Sequence, residues 1–224
     1  MNPISLNLIA ITVFLFTMSA LLGPLINLSP TVPAVAVAGL LGLVTIDTLG
    51  WQGRGLEILL DAIAGTSEER RLRVTRHEAG HFLVAHLLEV PISGYTLSAW
   101  EAFRQGQKGR GGVQFDDRQL LEQLQQGQIS DRLLNRYATI WMAGIAAETL
   151  AYGSAEGGDD DLLQLRGVLT QLRPAISDIS ARERWAILQA KTLIESNSQA
   201  YDRLVEAMKN RLPVAECQKA ISEE

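Results

Sequence analysis

The sequence predicts a mainly α fold: two N-terminal transmembrane helices, then a helical domain holding a small β-hairpin or sheet. Three observations carry this. From Pro3 through Ile46 there are 44 residues without one Asp, Glu, Lys, Arg or His, enough for two bilayer crossings of about 20 residues each. His77-Glu78-Ala79-Gly80-His81 lies in a run, Ser67 to Leu88, that contains neither proline nor a turn cluster before Val90-Pro91, as a helix requires. From Asp116 onward apolar residues recur at helical spacing.

The first span is expected over about Ile4–Leu25 and the second over about Val32–Leu49, with Asn27-Leu28-Ser29-Pro30 as the turn. The second is shorter and ends with Thr45 and Asp47, so a re-entrant segment stays open as an alternative. A cleaved signal peptide fits less well, because no Lys or Arg opens the chain and a second apolar run follows. No Lys or Arg precedes the first span or fills the turn, whereas Arg54, Arg70, Arg71, Arg73 and Arg76 follow the second. Both ends are therefore expected on the cytoplasmic side, or its equivalent. Leu56–Ile63 reads equally as a short interfacial helix or as an amphipathic linker. The organisation expected is a membrane hairpin over 1–50, an interfacial linker over 51–66, a domain carrying the histidine motif over 67–172 and a helical extension over 173–224.

Thr66 and Glu69 form a candidate capping box for the motif helix. After it, Ile92, Tyr95, Thr96 and Leu97 within Pro91–Trp100, and Gly112 to Phe115, read as short extended stretches around a glycine-rich loop, Gln105–Gly111. Helices are expected over Arg118–Gln126, Ser130–Tyr152, Leu162–Leu172 and Asp178–Arg211, the last breaking near Glu195-Ser196-Asn197. Trp141, Met142 and Trp185 fit the core. A net charge of −5 on 224 residues argues against a nucleic-acid surface. No G-x-x-x-x-G-K-[ST] loop is present for ATP. The lone Cys217 excludes an internal disulfide and a cysteine-based zinc site, and reads as a small apolar residue.

H-E-x-x-H on a helix puts both imidazoles on one face, one turn apart, where they can share a tetrahedral ion. Glu78 then stands beside the metal as a general base for water, a role a purely structural site does not need. With 3 histidines in the chain, chance supplies the pattern in roughly one such chain in four hundred, so accident is a poor rival. His86 lies five residues past His81, about 140° around the helix, and is not expected to be a ligand. Val84 and Leu87 stand where a metzincin extension needs glycine and histidine. The third ligand is then a carboxylate from downstream. Asp159-Asp160-Asp161 follows Gly157-Gly158; it reads as a helix N-cap and favourable dipole charge, and also as a source of one ligand. Glu148, in a stretch of Ala, Gly and Ile, reads either as part of a solvated helix face or as a buried carboxylate that holds a ligand histidine through its second nitrogen.

Taken in order, His77 to His81, Ala147-Glu148, Tyr152-Gly153 and Gly158-Asp159-Asp160-Asp161-Leu162 resemble the peptidase domain of the FtsH-type membrane zinc proteases. That family's pattern is H-E-A-G-H, then A-E-E followed by an aromatic residue and glycine, then S-N-D-[IL]. The resemblance covers about residues 67 to 172 and implies a zincin-like, FtsH peptidase-like domain with Zn2+ as cofactor. It matches His77 and His81 to the histidine ligands, Glu78 to the catalytic base, Asp161 to the third ligand and Glu148 to the first Glu of A-E-E. Asp160 stands where the family has asparagine. The ATPase module is missing, the loop between the spans is a mere turn, and Gly153 to Asp161 is shorter than usual. Small ATPase-free proteins of this kind resemble ones of cyanobacteria and plastids, which implies a thylakoid or plasma membrane and a cytoplasmic or stromal domain. The function implied is a membrane-anchored zinc metalloendopeptidase acting on flexible polypeptides, with a strand near Gly94–Leu97 presenting substrate, alone, as a homo-oligomer or beside an FtsH-like partner. The alternative is a non-proteolytic membrane adaptor that keeps the fold.

Overall fold

The computed structural model describes residues 3–29, 31–51, 55, 67–107, 111–172 and 178–223. The expected interfacial segment Leu56–Ile63, the Thr66 cap, Arg54 and part of the glycine-rich loop lie outside these residues. The described chain is mainly helical with one two-stranded antiparallel sheet. It divides into two compact units, Met1–Ser67 with Ser98–Arg110, and Glu68–Leu97 with Gly111–Glu224.

In the first unit, α1 (Pro3–Leu22) runs into a 3-10 turn over Gly23–Ile26, and α2 covers Thr31–Trp51. Asn27 turns the chain in the left-handed region, at φ 55°, and the Leu28 N–H donates to the Gly23 carbonyl at 2.8 Å. Thr17, Ser19, Thr45 and Thr48 each donate their hydroxyl to the carbonyl four residues back at 2.7–2.8 Å, so these polar groups need no water. Among the described residues one helix, Thr31–Gly50, is long and apolar enough to cross a membrane, and a shorter apolar stretch covers Ala10–Ile26. This unit also contains α3, Ala99–Arg104, whose N-cap Ser98 accepts from the Glu101 N–H at 3.1 Å.

The second unit is built around the motif helix α4 (Glu68–Leu87), which starts with Glu68 and Glu69 at its positive dipole end. β1 (Ile92–Tyr95) pairs antiparallel with β2 (Val113–Phe115), Tyr95 opposite Val113, with an irregularity between Ile92 and Gly94. Then follow α5 (Arg118–Gln125), α6 (Asp131–Trp141), α7 (Ala143–Tyr152), α8 (Asp159–Gln171), α9 (Ile179–Ser196), α10 (Ser198–Lys209) and α11 (Val214–Ser222). Helix α4 packs on α7, α10, α6 and α9. Its Phe82, Leu83 and Val84 are buried with Leu134, Ile140, Trp141, Met142, Leu165, Leu204 and Met208. The backbones come close at Gly80, where a Cβ would lie 2.5 Å from the Ala143 carbonyl oxygen and 2.7 Å from the Ala147 Cβ.

Four elements differ from the expected ones. The strand stops at Tyr95, because Ser98 and Glu101 open α3. The helix expected over Ser130–Tyr152 is interrupted at Met142. Helix α8 begins at Asp159, ahead of Leu162, with Gly158 as its N-cap. A last helix, α11, follows a reversal at Arg211, which adopts φ 58° without being glycine, and Pro213. The break at Asn197 agrees with expectation. The C-terminal helices are integral to the second unit: the Tyr201 hydroxyl donates to the Arg76 carbonyl at 2.8 Å, and the Tyr95 hydroxyl donates to the Leu212 carbonyl at 2.6 Å.

Two glycine-to-alanine substitutions should therefore have opposite signs. Gly80→Ala is expected to cost about 1–3 kcal/mol by overpacking. Gly167→Ala, where a Cβ meets nothing within 4 Å, should gain up to about 1 kcal/mol from its helix-interior position. Apparent Tm in detergent, compared with the unsubstituted chain, reads both.

Candidate metal centre

Helical geometry sets the first two members of the cluster. His77 and His81 stand one turn apart on α4, and their Nε2 atoms face each other at 3.1 Å. The third comes from the first turn of α8. Asp161 Oδ2 lies 3.2 Å from His77 Nε2 and 3.5 Å from His81 Nε2. Of the acidic triplet, Asp159 and Asp160 are exposed and Asp161 alone turns inward. The turn before it depends on Gly158, which sits at φ 100° and has no room for a Cβ beside Ile145. This resolves the two readings of the triplet: the cap is Gly158, and the aspartates occupy the first turn, where the helix dipole favours their charge.

Each imidazole is oriented from behind. His81 Nδ1 lies 2.7 Å from the Ile140 carbonyl, which can only accept, so Nδ1 carries the proton and Nε2 presents its lone pair. A continuous helix would commit that carbonyl to the Gly144 N–H; the interruption at Met142 leaves it for His81. His77 Nδ1 donates to Glu148 Oε1 at 2.8 Å, again leaving Nε2 to face the centre. The His77 ring sits directly over Gly144, where no Cβ would fit.

Glu148 is the buried carboxylate of the two readings, with its side chain 2% exposed. It accepts from Arg73 Nη1 at 3.1 Å, the Glu156 N–H at 2.9 Å and the Gly157 N–H at 3.2 Å, besides His77. Arg73 is itself fixed over the Tyr152 ring at 4.1 Å. Burial pushes the Glu148 carboxyl up, but the His77 and Glu156 hydrogen bonds, with Arg73, prevail and hold it at about 2. It is ionised at neutral pH.

Glu78, directly after His77 in the motif, accepts from the Val113 N–H through Oε2 at 3.0 Å. A Cβ at Gly112 would lie 3.0 Å from that oxygen. The start of β2 therefore fixes the Glu78 carboxylate, and only glycine fits beside it. His86 is half-buried in the last turn of α4 and outside the cluster.

The donor set fits a tetrahedral ion. A zinc with ligands at about 2.0–2.1 Å places neighbouring ligand atoms about 3.3 Å apart, and the three separations here are 3.1, 3.2 and 3.5 Å. The group His77, His81 and Asp161 could hold a metal ion. With both Nδ1 atoms protonated, two lone pairs and a carboxylate converge where only a cation relieves them. A proton is the other candidate. Burial pulls His77 down, yet the Asp161 and Glu148 hydrogen bonds and the nearby Glu78 push it up to about 10; Asp161 raises His81 against its burial as well. The two histidines in turn hold Asp161 well below the usual carboxylate range, against its own burial.

The sequence reading had all the convergent side chains. It missed Arg73, one turn before His77 on the same helix face, and the Ile140 carbonyl, which no side-chain pattern encodes. No protein-family model matches the chain, and a search of curated proteins finds no match either.

Three measurements check the centre by zinc competition with a chromophoric chelator. Glu148→Gln should weaken binding about 10- to 100-fold by loosening His77. Asp161→Asn should weaken it at least as much, while Asp160→Asn leaves it unchanged. Because folded His77 keeps its proton up to about pH 10 without metal, zinc must displace protons, and apparent affinity should rise steadily with pH over roughly 6 to 9.

Proposed function

We propose that the chain is a zinc-dependent metalloendopeptidase anchored in a membrane by its two N-terminal helices. The observation that carries this reading is the pairing of a three-ligand donor set with a carboxylate, Glu78, held next to it by the β2 backbone. A structural zinc site is closed by four protein ligands, whereas a catalytic one keeps a position open. When bound, zinc would supply Lewis acidity, polarising a peptide carbonyl and acidifying water. His77, His81 and Asp161 would hold it, and Glu148 and the Ile140 carbonyl would keep the imidazoles aimed.

Glu78 is the proton carrier: an Oε atom takes the proton of the attacking water and passes it to the departing amide nitrogen. The substrate runs extended beside the β1–β2 hairpin, which orients its main chain without reading sequence. With no unfoldase in the resemblance, substrates are flexible or already unfolded polypeptides, unless an FtsH-like ATPase delivers them. The two spans place both termini and the peptidase unit on the cytoplasmic or stromal face, as the arginine bias after the second span suggests. A self-associated form fits the family resemblance equally.

Glu78→Gln separates this reading from an adaptor. The variant should bind zinc at the native stoichiometry and lose about 10²- to 10⁴-fold of its cleavage of unfolded casein; chelator should abolish cleavage by the native chain and zinc restore it. Full cleavage by the variant, or no chelator-sensitive cleavage by the native chain, would refute the peptidase assignment.

A further inference from the structure

We propose that α3 is a lipid-docking element that seats the excursion between the two strands on an anionic membrane surface, an inference that rests on the membrane-anchored reading above. The excursion is closed at its base: the Thr96 N–H donates to the Gly112 carbonyl at 3.1 Å and the Gly112 N–H donates to Thr96 Oγ1 at 3.0 Å. Within it the chain folds a capped helix with two faces. Ala99 and Ala102 are buried, while Trp100 and Phe103, three residues apart, are 52% and 45% exposed and stack on each other at 5.9 Å. Nothing in a water-facing helix calls for a stacked Trp–Phe pair, whereas such rings suit the headgroup level of a bilayer.

Charge and placement name the occupant. Ser98–Arg110 carries Arg104, Lys108 and Arg110 against the single Glu101, a net +2 in a chain of net −5. Basic residues in a segment that carries exposed aromatics are attracted to anionic lipid, each by about 1 kcal/mol near the surface. The same segment groups with Met1–Ser67, which contains the apolar helices, and not with the rest of the chain. A protein partner would need neither this company nor this charge.

The test uses the full chain in vesicles of phosphatidylcholine alone and of phosphatidylcholine with phosphatidylglycerol. A nitroxide is placed by Phe103→Cys in a Cys217→Ala background, with Glu206→Cys as an exposed control. With anionic lipid, the label at 103 should show an oxygen-to-nickel accessibility ratio several-fold above that of the control, falling toward it in phosphatidylcholine alone. Equal ratios at both positions in protein that resists alkaline extraction would overturn docking while leaving the anchor intact. Loss of the protein on alkaline extraction would overturn the anchor, and docking with it. Label-to-label broadening at 103 that ignores lipid composition would identify a second copy as the occupant and overturn the proposal. Unsubstituted protein provides an independent reading: tryptic cleavage after Arg104, Lys108 and Arg110 should slow with phosphatidylglycerol, and unchanged cleavage would count against docking.

Discussion

The close approach of α4 and α7 is the constraint on which the rest of the site depends. Gly80 lets the two backbones meet, and Gly144 leaves the space that the His77 ring fills. Once α7 lies there, its Glu148 reaches His77, and the carbonyl of Ile140, just before the interruption, reaches His81. Two neighbours of α4 thus orient the imidazoles, α7 through Glu148 and the end of α6 through the Ile140 carbonyl. A side chain at Gly80 would push against the α7 backbone, and one at Gly144 would push against the His77 ring itself.

The second constraint is electrostatic. Two imidazole lone pairs, Asp161 and Glu78 gather in a largely buried place where unbalanced charge is costly. Arg73 and two backbone N–H groups balance Glu148 on the outer side. No side chain balances the inner side among the contacts described for Asp161, and the raised histidines show that the place attracts positive charge. A divalent cation answers that demand with a geometry the donor separations already match.

Much of this was legible in the residues. The H-E-x-x-H spacing puts its histidines on one face by helix geometry alone, and Ala143 to Ala147 announces a close helix contact. What decided among Asp159, Asp160 and Asp161 was the rotation of α8, set by Gly158 and its packing against Ile145, a tertiary matter. The interruption at Met142 has no glycine or proline at the break itself; there the Ile140 carbonyl meets His81 Nδ1, a tertiary contact that local propensity does not encode. The turn at Arg211 likewise uses a left-handed residue that is not glycine. Helix α3, by contrast, had a readable signal in Ser98 and Glu101, a capping box placed inside a stretch whose Ile, Tyr and Thr content suggested strand alone.

The most direct measurement of the central claim is X-ray absorption at the zinc edge on protein loaded with one equivalent of the metal. Zinc held by His77, His81 and Asp161 would give two imidazole nitrogens and oxygen at about 2.0–2.1 Å, with the outer-ring scattering of two ordered histidines. A shell without imidazole, one with a single imidazole, or a fully hydrated ion would contradict it.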